Sequence, residues 1–126
     1  MALVFLMGGI VLLIGVTIAF FVNSLIDTGY GYKALVQADA AAASGANDAM
    51  LQIARNYSTL PNPDSYNLVV GSTTVSVTIT QNSPSAGFAT VLSTATVANR
   101  TRKINVILSI NASTSQASMV SWQQIQ

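Results

Sequence analysis

Asp27, Asp39, Asp48 and Asp64 are the only carboxylate side chains in the sequence, which has no glutamate, histidine or cysteine. The side chain that most often moves protons near neutral pH is therefore missing, as are the imidazole and thiolate ligands of most transition-metal sites. Disulfides are excluded as well. Asp39 and Asp48 stand nine residues apart, which places them on different faces of a helix, and no nucleophile–base pair can be assembled around either. Their expected roles are solvent contact or ion pairing, for instance with Lys33 or Arg55 of another copy. Five Lys and Arg against four Asp leave a net charge of +1, too little for the basic face that nucleic-acid binding demands. The residues thus argue against an enzyme and offer no catalytic, cofactor or metal site. A structural or binding role is expected instead.

The elements that carry these few charges are organised around the beginning of the chain. From Met1 to Ile26 there is no ionisable side chain, in a sequence that is 51% hydrophobic and only 7% charged. As a helix this run measures about 39 Å, enough to span the ~30 Å apolar layer of a bilayer. A soluble core helix is seldom so long or so uniformly apolar. Gly8, Gly9 and Gly15 cost helix propensity, but membrane helices use such residues for close contact or local unwinding. No Lys or Arg precedes the run, so it lacks the basic start of a secretory signal, and no small-residue cleavage site follows it. The expectation is a processed product whose basic leader has been removed, with its topology not set by upstream positive charge.

Past Asp27 and the softening glycines Gly29 and Gly31, the stretch from Lys33 to Arg55 reads as helix. Tyr32, Leu35, Val36, Ala42, Ala43, Ala46, Ala49, Met50 and Ile53 recur at three- and four-residue intervals and predict one apolar face. Asp39 falls within that face, and Lys33 and Asp48 fall outside it. The Ala-rich middle has high helix propensity and permits close approach of another element. One helix from Met1 to about Asn56 is predicted, ended by Pro61 and Pro63. Its length would be about 80 Å, which a chain of this size cannot bury, so half must lie in lipid or against copies of itself.

The remainder is expected to be β-rich. In Thr73–Thr80, Val75, Val77 and Ile79 alternate with Thr and Ser, the pattern of a strand with one buried face. Tyr66–Val70 precedes it across Gly71–Ser72, which predicts a hairpin. A second hairpin is expected to turn near Asn99–Arg100, with Ile104, Val106 and Leu108 on one face and Lys103, Asn105 and Ser109 on the other. Met119, Val120, Trp122 and Ile125 suggest a last short strand. The fold class is therefore α+β: a long N-terminal helix, apolar then amphipathic, followed by a small antiparallel sheet. Its parts are 1–27 as the apolar half, 28–56 as the amphipathic half packing on the sheet, and 57–126 as the β-rich domain. Few charges and many hydroxyls suit an extracellular surface. Asn56, Asn99 and Asn111 each open an N-x-S/T sequon and are candidate glycosylation sites.

This outline resembles type IV pilins and pilin-like proteins. Ala43-Ser44-Gly45-Ala46-Asn47-Asp48-Ala49 followed by Ile53 is similar to the A-E-S-G-x-x-D-A-x-x-x-L segment of bacterial pilin-like proteins, with Ala43 in place of the Glu. Arg100–Leu108 resembles their basic-then-alternating strand, and Ser121-Trp122 their closing S-W. Met1–Phe5 set against the family's F-T-L-I-E start puts Phe5 where most members carry a glutamate that pairs with a neighbour's terminal amine. The resemblance implies prepilin-peptidase processing, methylation of the terminal amine, residence in the inner membrane and then assembly by pilus machinery into a cell-surface filament of identical subunits. Met1, Phe5, Gly8, Gly9, Gly15, Phe20 and Phe21 would form the filament core. Two alternatives stand beside a main structural subunit. One is a minor pilin or pseudopilin that primes or tips a filament or serves a secretion system; the other is a single-pass membrane-anchored binding domain that never assembles.

Overall fold

The computed structural model describes residues 1–125, which form one helix and five strands. Helix α1 spans Ala2–Asn56, and strands β1 (Asp64–Val70), β2 (Thr73–Gln81), β3 (Phe88–Val97), β4 (Arg100–Ile110) and β5 (Ala117–Ile125) follow. The layout is α+β, as the two hydrophobic periodicities predict. Two compact units are distinguished, Met1–Lys33 and the chain from Ala34 onward.

In the second unit the strands make one antiparallel sheet in the order β1-β2-β3-β4-β5. Tight turns fix the registers. Val70 pairs with Thr73 across Gly71, whose φ of +62° suits a residue without Cβ. Val97 pairs with Arg100 across Ala98 and Asn99, both at positive φ. This turn lies one residue earlier than expected. Two consecutive left-handed residues match the twist of a hairpin, and asparagine tolerates that conformation well. The last strand is longer than the short one expected. It runs nine residues beside β4, with a register shift between Ile107 and Leu108 that leaves Val120 as the extra residue of a bulge.

Alternation then sorts the side chains. Val75, Val77 and Ile79 of β2, Ala89, Val91, Ser93 and Ala95 of β3, and Ile104, Val106, Leu108 and Ile110 of β4 are buried on one face. Helix residues from Ala34 onward cover that face, burying Ala34, Ala38, Ala41, Ala42, Gly45, Ala46, Ala49 and Ile53. Each fully buried Val or Ile contributes about 1.5–3 kcal/mol over an exposed one.

The helical stripe differs from the predicted face. Ala42, Ala46, Ala49 and Ile53 are buried as expected. Val36 and Tyr32 are exposed, while Leu35, Ala43 and Met50 are only part-buried. Small residues displace large ones because β-branched side chains already fill the sheet's inner face. Helix and sheet approach closely at Gly45, where a Cβ would stand 2.5 Å from Ser93 Oγ and 2.7 Å from Val75 Cγ1. Ser93 is buried there and donates a hydrogen bond to the carbonyl of Ala42 at 2.8 Å.

Asp48, expected outside the helix's apolar face, is part-buried and accepts hydrogen bonds from the Tyr66 hydroxyl at 2.8 Å and Gln52 Nε2 at 3.2 Å. This contact ties β1 to the helix. Burial first, and then the Asp48 carboxylate, push the Tyr66 phenol well above its ordinary value near 10. Because the folded-state pKa is the higher one, the associated stability is fully present below about pH 10 and is lost as pH rises beyond it. Tyr66→Phe is expected to destabilise the folded unit by about 1–2 kcal/mol at neutral pH and to blunt its alkaline unfolding. Thermal melts at pH 7 and pH 11 check both effects; an unchanged alkaline loss would assign it to another group.

Candidate functional site

The first unit presents an apolar surface. Every residue from Met1 to Tyr30 is exposed, and α1 is long and apolar enough to cross a membrane. Phe5, Phe20 and Phe21 are at least 65% exposed. Such an array of exposed leucines, isoleucines and phenylalanines is unfavourable in water, at about 25 cal/mol per Å² of apolar surface. Lipid or other protein would relieve that cost.

The backbone of this segment suits an apolar medium, because its amides are satisfied within the helix. Its hydroxyls are satisfied the same way. Thr17 Oγ1 donates to the Leu13 carbonyl and Thr28 Oγ1 to the Ser24 carbonyl, each at 2.8 Å. Gly8, Gly9 and Gly15 have nothing within 4 Å of the position a Cβ would take. Leu3, Val4, Met7, Val11 and Leu12 surround Gly8 in an open apolar depression, a shape that accepts a side chain from a neighbouring helix. Tyr30 and Tyr32, both exposed, follow the apolar run, where an amphipathic ring suits a membrane–water boundary. Met1 carries the terminal amine, and the first carboxylate along the helix, Asp27, lies about 39 Å away.

The remaining charges gather in the second unit. Arg102 Nε stands 3.7 Å from Asp39 Oδ1, and Gln124 Nε2 donates to the same oxygen. Asp39 was expected inside the apolar face; it sits at its margin, half-exposed, and joins α1 to β4 and β5. Within the chain its partner is Arg102. A contact across more than sixty residues leaves no signal in local spacing, so sequence reasoning missed both Arg102 and Gln124. Among the described residues, no group of three or more His, Cys, Asp or Glu side chains could hold a metal ion.

The three sequon asparagines are all exposed. Asn56 ends α1 and its carbonyl accepts from Thr59 and Leu60. Asn99 occupies the β3–β4 turn, and Asn111 follows β4, its Oδ1 accepting from the Ser113 amide at 2.9 Å. No family model, curated protein or solved structure matches this chain.

Proposed function

We propose that this chain is the structural subunit of an extracellular helical filament of the type IV pilus kind, assembled through its N-terminal apolar helix. The observation that carries the proposal is the fully exposed apolar stretch from Met1 to Ile26 on a chain whose hydrophobic core lies in another unit. In the bilayer this stretch waits as a monomer. On assembly it exchanges lipid for the same stretch of neighbouring copies, a near-neutral step because apolar surface stays out of water throughout. The sheet then forms the solvated exterior, where sparse charge limits repulsion between copies. Phe5 offers packing where most pilins offer a carboxylate, so the core dispenses with an ion pair at that position. Prepilin peptidase and the pilus assembly machinery are the partners this reading implies, and catalysis has no part in it.

Electron microscopy of surface filaments, with mass analysis of their subunits, tests the reading. Filaments built mainly of this chain are expected. Sparse incorporation would favour a minor subunit or pseudopilin, and a monomer that never assembles would favour a membrane-anchored binding domain. Within that test, Gly9→Leu is expected to insert in the membrane normally but to cut filament yield about tenfold or more, since the added side chain meets open space in the monomer and a neighbouring helix only in the assembly. Normal yield would remove any packing role for the glycine.

A further inference from the structure

Of the three sequons, one already has the shape that glycan transfer needs. A transferase must reach the asparagine carboxamide and read the hydroxyl two residues on, so the acceptor has to stand clear of regular secondary structure. Asn111-Ala112-Ser113 meets that condition. It opens the β4–β5 connection, residues 111–116, all of which are exposed. The Asn111 amide closes the connection by donating to the Gln116 carbonyl at 2.9 Å, and the Ser115 amide donates to the Asn111 carbonyl at 2.8 Å. Within it the Ser113 amide donates to Asn111 Oδ1 at 2.9 Å, which brings the carboxamide to the residue that carries the hydroxyl. Because an N–H must meet an oxygen there, this bond sets Oδ1 against the turn and leaves Nδ2 as the reacting end.

The other two sequons are held in different shapes. Asn56 is the last residue of α1, and its carbonyl accepts from the Thr59 amide at 2.9 Å, the Leu60 amide at 3.1 Å and Thr59 Oγ1 at 3.0 Å. Tyr57, the middle residue of that sequon, packs against the core, and its carbonyl accepts from Gln81 Nε2 at 3.1 Å. Asn99 is the second of two residues at positive φ in the β3–β4 turn. The hydroxyl of its sequon, on Thr101, belongs to β4 and is hydrogen-bonded across the hairpin to Thr96 Oγ1 at 2.9 Å. Transfer at either position therefore waits on local unfolding, of the helix end and Tyr57 in one case and of the hairpin in the other.

We infer that Asn111 is an N-glycan acceptor and that the fold excludes Asn56 and Asn99 from the same modification. The assignment rests on the reading above, in which the sheet-bearing unit is carried out of the cell. The donor is an oligosaccharide linked to a polyprenyl pyrophosphate. Asn111 Nδ2 attacks the anomeric carbon of its first sugar. The N–C bond forms as the C–O bond to the pyrophosphate breaks, and the lipid pyrophosphate leaves with that electron pair. Nδ2 loses one proton to a base of the transferase.

The full chain in detergent is given a transferase that reads N-x-S/T and this lipid-linked donor, and the products are cleaved with trypsin and resolved by mass spectrometry. Cleavage after Arg55, Arg100 and Lys103 puts Asn56 and Asn99 on residues 56–100 and Asn111 on residues 104–126, and fragmentation separates the first two. Each rate is divided by that of a short peptide bearing the same sequon. The ratio is expected to be at least about tenfold higher at Asn111 than at either other site, because only there is no unfolding step required. Ser113→Ala should abolish transfer to Asn111, and Ser113→Thr should retain it. Equal ratios at the three sites, or a higher one at Asn56 or Asn99, overturn the inference. Chain isolated from its own cells is expected to carry a glycan on residues 104–126 and none on 56–100. A bare Asn111 on cells whose exposed Lys103 reacts with a membrane-impermeant amine reagent overturns the modification alone. A bare Asn111 with Lys103 reactive only after lysis overturns the export reading as well.

Discussion

Leu13→Asp is expected to abolish filament assembly while leaving the sheet-bearing unit folded. Leu13 is 69% exposed in the monomer and surrounded by other apolar side chains of the first unit, so the substitution disturbs no packing within the chain. Its whole cost falls on the environment that receives the segment. At the centre of a membrane helix, exchanging leucine for aspartate costs about 3 kcal/mol. The remaining apolar residues still favour insertion, so some chain should stay in the membrane fraction. In a filament core the same carboxylate recurs on every copy with no water to solvate it, and assembly fails. Leu13→Met is the matched control and should assemble normally. Filament counts by electron microscopy, alongside a thermal melt of the folded unit, check the prediction. Wild-type filament numbers from Leu13→Asp would show that this segment is not the core.

Gly45→Val is expected to lower the thermal midpoint of the folded unit by about 15 °C. The Cβ alone would stand 2.5 Å from Ser93 Oγ, 2.7 Å from Val75 Cγ1 and 3.1 Å from Val77 Cγ2. Neither valine can swing far, because each is stiff at χ1 and buried. Ser93 is held by its bond to Ala42. The helix must therefore lift from the sheet, an overpacking cost of about 3 kcal/mol, against which any gain in helix propensity is under about 1 kcal/mol. For a unit of this size each kcal/mol moves the midpoint by about 4–8 °C. Gly45→Ala should show a smaller loss, partly recovered by adding Ser93→Gly. Strictly additive losses in that cycle would mean the two residues do not meet.

Both helix segments, the two hairpins and the alternation of β2 and β4 were legible because each is written in local spacing. A period of two over Val75, Val77 and Ile79 needs no knowledge of the rest of the chain. The face by which the helix meets the sheet was not legible. Hydrophobicity ranks Val36 and Met50 above Ala38 and Gly45, yet the partner surface of Val75, Val77 and Ser93 selects for small volume, and that surface lies thirty or more residues away. Sequence separation likewise hid the Asp39–Arg102–Gln124 contact and, over eighteen residues, gave Asp48 an unexpected partner in Tyr66. Of the candidate assembly residues, Met1, Phe5, Gly8, Gly9, Gly15, Phe20 and Phe21, the sequence indicates an apolar surface that must be covered. All seven are exposed in the single chain.

The sequential strand order carries a consequence for how the chain is made. In a meander every new strand finds its hydrogen-bonding partner in the strand just completed, so loop closure is brief at each step. The helix precedes the strands, with Gly45 already placed to receive Val75 and Val77 of β2 and Ser93 of β3. A polypeptide emerging gradually could therefore complete its fold row by row, each exposed edge occupied soon after it appears. No strand waits for a distant partner, and the interval in which unpaired strands could meet those of a neighbouring nascent chain is short. The winding order is itself a safeguard against tangling before the fold is complete.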